Sequence, residues 1–189
     1  MLLFHPRNPS RCLKKIRIMA VDNDRAGMEL MLAVLDGLGF KKTLGLCDGY
    51  KAVQALQERE FDLLITDWEL KAPEKYQDAL DEEHIEFYLV KYIRKSESSP
   101  NPYLPILMLA GLGFRDRLEF ARDCGVNAVL FKPLNVADLC EQIGELIDHP
   151  RPFVTSYHYR GPCRRRDVRP YQGQIERRRQ DAEPFRVAG

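Results

Sequence analysis

Phe61-Asp62-Leu63-Leu64-Ile65-Thr66-Asp67-Trp68 is the stretch on which the fold turns. It is a short apolar run without polar alternation, so it reads as a strand covered on both faces, and it ends on an acid. Similar runs lie on either side of it: Ile16 to Val21 and Thr43 to Cys47 before it, Pro105 to Leu109 and Asn127 to Phe131 after it. Helical patterns separate them. Arg25 to Leu38 carries Leu30, Met31, Val34, Leu35 and Leu38 on one face, with Asp24 as N-cap and Gly39 as stop. Further helices are predicted over Tyr50–Arg59, Glu83–Lys95 and Phe114–Cys124. A last one, with Asn135 as cap, carries Val136, Leu139, Cys140, Ile143, Leu146 and Ile147 at helical spacing.

Five buried strands alternating with helices imply a parallel sheet with both faces covered, and right-handed crossovers make it a doubly wound α/β domain. The domain is expected over residues 14–149, after an extension of residues 1–13 and before a tail of residues 150–189. In such sheets ligands sit outside the carboxyl ends of the strands. The residues there are Asp22-Asn23-Asp24, Asp67, Ala110-Gly111 and Lys132-Pro133. Carboxylates with a lysine close by suit a hard cation such as Mg²⁺ and an incoming phosphoryl group, with one carboxylate left to attack phosphorus. Asp24 is better accounted for as a helix cap than as a metal ligand.

These blocks carry a family resemblance. Val21-Asp22-Asn23-Asp24, Ile65-Thr66-Asp67-Trp68, Leu104-Pro105-Ile106-Leu107-Met108 and Phe131-Lys132-Pro133 resemble the signature blocks of two-component response-regulator receivers, of the chemotaxis-receiver kind. The resemblance covers roughly residues 14–148 and implies a flavodoxin-like sheet of order 2-1-3-4-5. It implies that Asp67 accepts phosphate, that Asp22 lies in the acidic pocket, that Lys132 contacts the phosphoryl group and that Gly111 leaves room for the donor. Asp22, Asn23, Asp67 and the backbone carbonyl of Glu69 would bind Mg²⁺. The implied partners are a sensor histidine kinase or phosphotransfer protein, and a downstream protein on the fourth- and fifth-helix face. The resemblance implies a switch rather than an enzyme with turnover.

The chain departs from that pattern in four places. Asn23 stands where a second acid is usual, so weak Mg²⁺ binding is expected. Ala110 lacks the usual hydroxyl after strand four. Val129 replaces the usual aromatic switch residue in strand five. About a dozen extra residues, Lys71 to Glu82, replace the short loop after the acceptor. A phosphate-independent binding adaptor is therefore the alternative reading.

The whole chain has 189 residues and a formal net charge of +1. The tail holds ten Arg, no Lys and four acids, so it carries +6 and leaves −5 for residues 1–149. It has few large aliphatic residues, so no core of its own is expected, and it should be dispensable for folding. Its clusters Arg164-Arg165-Arg166 and Arg177-Arg178-Arg179 suit an acidic protein, nucleic acid or membrane surface. Five scattered cysteines point to a reducing compartment, and no apolar run is long enough to span a membrane. A cytoplasmic location is expected.

Overall fold

The computed structural model describes residues 13–70, 87–156 and 159–164. Five strands form one parallel sheet: β1 (Arg17–Val21), β2 (Lys42–Leu46), β3 (Leu63–Asp67), β4 (Ile106–Ala110) and β5 (Ala128–Phe131), in the order β2-β1-β3-β4-β5. The helices are α1 (Arg25–Gly37), α2 (Gly49–Glu58), α3 (Tyr88–Lys95), α4 (Leu118–Cys124) and α5 (Val136–Asp148). The doubly wound flavodoxin-like architecture is thus present, with the predicted strand order.

Alternate residues of each strand face opposite sides of the sheet. Ile18, Ala20, Leu63, Ile65, Leu107 and Leu109 pack in one layer with Met31 and Leu35 of α1 and Leu139, Ile143 and Leu146 of α5. Met19, Val21, Leu64, Met108 and Ala110 pack in the other with α2, α3 and α4. Each large side chain buried this way contributes about 1.5–3 kcal/mol. The helix caps follow the sequence: Asp24 accepts from the backbone N–H of Ala26 and Gly27, and Asn135 from that of Ala137.

Two elements differ from expectation. The predicted helix Phe114–Cys124 is split into a 3₁₀ turn over Leu112–Arg117 followed by α4. Gly111 offers no side-chain cap, and Gly113 is a poor helix former, so the entry tightens to the i→i+3 pattern. Of the third predicted helix only residues 87–95 lie within the described residues, where the helix runs Tyr88–Lys95, and the insertion Lys71 to Glu82 lies outside them.

Past residue 150 the described chain forms one more element. Strands β6 (Phe153–Thr155) and β7 (Arg160–Pro162) form an antiparallel ribbon. It packs on the amino-terminal edge of the main sheet. Gly125, at φ +96°, ends α4, and a Cβ there would lie 2.8 Å from the Arg160 carbonyl oxygen. A Cβ on Gly161 would lie equally close to the Gly125 Cα. The two backbones meet because neither residue has a side chain. Phe153 meets the Tyr103 ring edge-on at 5.3 Å and lies 5.1 Å below the Arg94 guanidinium.

Arg94 is fully buried. Its guanidinium donates to the carbonyl oxygens of Gly125 (3.0 Å) and Pro102 (2.8 Å) and to Asn127 Oδ1 (2.9 Å). Asn127 Oδ1 also accepts from the Ile106 N–H, tying the starts of β4 and β5 together. All three partners of Arg94 are neutral, and burial pushes its guanidinium down to about 9. Arg164, assigned to partner docking on sequence grounds, pairs with Asp123 of α4 at 3.2 Å and lies 4.1 Å over the Tyr159 ring. Arg165, Arg166, Arg177, Arg178 and Arg179 lie outside the described residues.

Candidate functional site at the carboxyl edge of the sheet

Strand register assembles the site. Val21 stands opposite Thr66, so the next residues, Asp22 and Asp67, come side by side. Asp67 stands opposite Leu109 and Ala110 opposite Phe131, which sets Gly111 and Lys132 across from the acids. The Lys132 backbone N–H donates to the Ala110 carbonyl at 2.8 Å, and the Lys132–Pro133 peptide that follows is cis.

The Lys132 ammonium reaches both acids, at 2.8 Å from Asp67 Oδ1 and 3.1 Å from Asp22 Oδ2. Both carboxylates are nearly buried, whereas 40% of the lysine side chain is exposed. Burial alone would lower the lysine, but hydrogen bonds and charge from Asp67 and Asp22 outweigh it and hold the ammonium above its ordinary value. Two carboxylates against one ammonium leave the pocket with one net negative charge. Asp22 Oδ1 is also held by the Asp24 N–H at 2.9 Å. Asp24 itself turns away to cap α1.

Asn23 and Glu69 meet directly, with the Asn23 amide nitrogen donating to the Glu69 carbonyl oxygen. Gly111 is open: among the described residues, a Cβ added there would touch only the Phe114 ring, at 3.7 Å. The structure therefore brings together Asp22, Asn23, Asp67, Glu69, Gly111 and Lys132. Ala110 is fully buried below them, and Val129 is half-buried in the layer beside α4. Neither can form a hydroxyl-to-ring pair.

The donor set has the chemistry a hard cation requires: two carboxylates, a main-chain carbonyl and a side-chain amide, all oxygen ligands. Among the described residues no group of three or more His, Cys, Asp or Glu side chains is placed to hold a metal. The amide of Asn23 now presents nitrogen to the Glu69 carbonyl.

Sequence reasoning missed the aromatic wall beside this pocket. Trp68, fully buried, stacks on Phe114 at 5.0 Å and 28° and meets the Phe87 ring edge-on at 4.8 Å. The Arg117 guanidinium lies 5.7 Å from the Trp68 ring. The only signal for this in the sequence was an aromatic residue next to the acid and another just after the glycines, and nothing in their spacing joins them.

No protein-family model matches the chain. It is similar to the chemotaxis protein CheY-3 of Vibrio cholerae, 28% identical over 135 residues, which span 71% of this chain and 94% of that protein. The chemotaxis protein CheY of Pseudomonas aeruginosa is 28% identical over 133 residues, 70% of this chain and 97% of that one. Among solved structures, the receiver domain of the Francisella response regulator 1452 superposes with a TM-score of 0.58 at 20% identity, covering 72% of this chain and all of that one. These relatives are CheY-like receivers of two-component systems, the structural neighbours are receiver domains, and this chain shares their fold. No helix among the described residues is long and apolar enough to cross a membrane.

Proposed function

We propose that Asp67 accepts a phosphoryl group from a histidine kinase or phosphotransfer protein, and that the domain signals by binding a protein partner. The observation that carries this reading is Lys132 bridging Asp22 and Asp67 at the strand ends of a receiver fold. In the transfer, a carboxylate oxygen of Asp67 forms a P–O bond while the P–N bond of a phosphohistidine breaks. The bond pair returns to the imidazole, which takes up a proton. Lys132 pairs with the new phosphoryl oxygens as a point charge, and open Gly111 leaves room for the donor.

Asp22, Asp67, the Glu69 carbonyl and the Asn23 amide oxygen would hold Mg²⁺. The cation supplies positive charge that lets an anionic donor approach a negative pocket. Asn23 contributes no charge, so affinity is low. The proposed location is the cytoplasm, and the arginine-rich residues after Arg164 are proposed to dock on an acidic surface.

A phosphate-independent adaptor is favoured by one observation, the Asn23–Glu69 hydrogen bond, which satisfies the carbonyl without a cation. One experiment separates the readings. The protein is incubated with Mg²⁺ and acetyl phosphate and examined for an acid-labile adduct. Labelling of the wild type and none of Asp67→Asn supports the acceptor reading; an unlabelled wild type leaves the adaptor.

A further inference from the structure

We propose that the Trp68–Phe114 stack couples a change of charge at Asp67 to the 3₁₀ segment Leu112–Arg117, in place of a hydroxyl–aromatic switch. The proposal deepens the acceptor reading and rests on it for its physiological trigger.

The sequence removes both parts of a hydroxyl–aromatic switch: Ala110 carries no hydroxyl and Val129 no ring. The structure supplies a different contiguous path. Trp68 follows Asp67 directly, and its N–H is anchored to the Leu109 carbonyl at 2.7 Å, so its backbone moves with the acceptor strand. Its ring lies against Phe114. Among the described residues, Phe114 in turn is the only side chain within 4 Å of a Cβ placed on Gly111, the residue bordering the pocket. The Phe114 N–H closes back onto the Gly111 carbonyl at 3.1 Å. A group added to Asp67 beside Gly111 therefore presses on a backbone whose next fixed point is Phe114.

The segment beyond is built to yield. It is 3₁₀ rather than α, lacks a side-chain cap and contains Gly113. It also holds Leu112 more than half exposed, with Leu118 over a third exposed just after it. Moving the segment changes how these apolar side chains are presented, which is a readout a protein partner can bind. Phe114 is the pivot because its ring belongs to the segment and stacks on Trp68, while Arg117 meets the same Trp68 ring only through its guanidinium, at 5.7 Å. An aromatic pair of this kind biases two arrangements by roughly threefold to tenfold.

The test uses the full chain, in which Trp68 is the sole tryptophan and reports its own environment. Wild type and Phe114→Leu are exposed to acetyl phosphate and Mg²⁺. Label at Asp67, Trp68 emission and amide hydrogen exchange over residues 112–117 are then read. The expected result is equal labelling of both proteins, with loading changing emission and exchange in the wild type. In Phe114→Leu the exchange response should be at least about threefold smaller. A full exchange response in labelled Phe114→Leu overturns the proposal, as does a labelled wild type whose Trp68 emission and segment exchange stay put.

If the wild type takes no label, the acceptor reading fails, and the coupling is decided by neutralising the charge directly. Asp67→Asn should then alter exchange over 112–117, and the alteration should shrink at least about threefold in the Asp67→Asn, Phe114→Leu double variant. Equal alterations in the two backgrounds overturn it.

Discussion

The two edges of the sheet handle buried charge in opposite ways. At the carboxyl edge, Asp22 and Asp67 are balanced by the partly exposed Lys132, charge against charge. At the amino edge, Arg94 is fully enclosed and held by two main-chain carbonyls and the Asn127 amide, a charge against fixed dipoles. The first arrangement leaves a net charge and an opening, as a pocket that exchanges ligands needs. The second leaves nothing to exchange and serves to hold the starts of β4 and β5, the end of α4 and the ribbon in place. Similar buried charges thus mark a candidate functional site at one end and a structural plug at the other, and the chemistry of the partners tells them apart.

The comparison breaks most visibly at Arg94. Arg94→Ala removes the donor to the Gly125 and Pro102 carbonyls and leaves Asn127 Oδ1 with the Ile106 N–H alone, and should destabilise the protein by about 3–5 kcal/mol in urea unfolding. A loss under about 1 kcal/mol would mean that water reaches this edge and that it is no plug. Truncation after His149 removes the ribbon, uncovers Arg94 and should lower stability by about 2 kcal/mol through lost packing of Phe153, Gly161 and Pro162. Truncation after Arg164 keeps the ribbon and should leave the midpoint almost unchanged. Thermal melting of these two truncated proteins tests the expectation, drawn from composition, that everything past residue 150 is dispensable.

At the other edge the effects are smaller. Asn23→Asp adds a charged oxygen ligand beside Asp22 and Glu69 and removes the amide donor to the Glu69 carbonyl. Mg²⁺ affinity by calorimetry should rise about tenfold. An unchanged midpoint would separate Asn23 from the cation site. Least of all, Lys132→Met should cost less than about 1 kcal/mol of stability at neutral pH, because the exposed side of the lysine is screened by solvent. The folded-state value of Lys132 is raised above that of the unfolded chain, so its stabilisation is fully present below about 10.4 and lost as pH rises through the folded value. The stability difference between wild type and Lys132→Met should accordingly be flat from neutral pH to the unfolded value and shrink above it. A difference that grew with alkaline pH would contradict the bridge.

Local pattern determined much of this protein by itself. The unbroken apolar run Leu63-Leu64-Ile65 and its counterparts in β1 and β4 specify buried parallel strands, because a strand covered on both faces has no polar side to show, whereas the edge strands β2 and β5 are only partly buried. Parallel strands then place Asp22, Asp67, Gly111 and Lys132 at one edge without any knowledge of coordinates. The caps at Asp24 and Asn135 were legible for the same reason: each acts within three residues along the chain. Arg94 was not legible as a buried group, although its place four residues after Val90 on the apolar face of α3 was a signal. A lone arginine on a helix reads as solvated until the carbonyls of Pro102 and Gly125 are seen to converge on it. The ribbon was hidden because it rests on two glycine backbones, Gly125 and Gly161, meeting across 36 residues, and glycine leaves no hydrophobic pattern to read. The Trp68–Phe114 stack and the Asn23–Glu69 bond were hidden likewise, since each joins residues 46 apart through space. Tertiary structure alone decided these contacts, because their energy comes from through-space geometry that periodicity along the chain does not record.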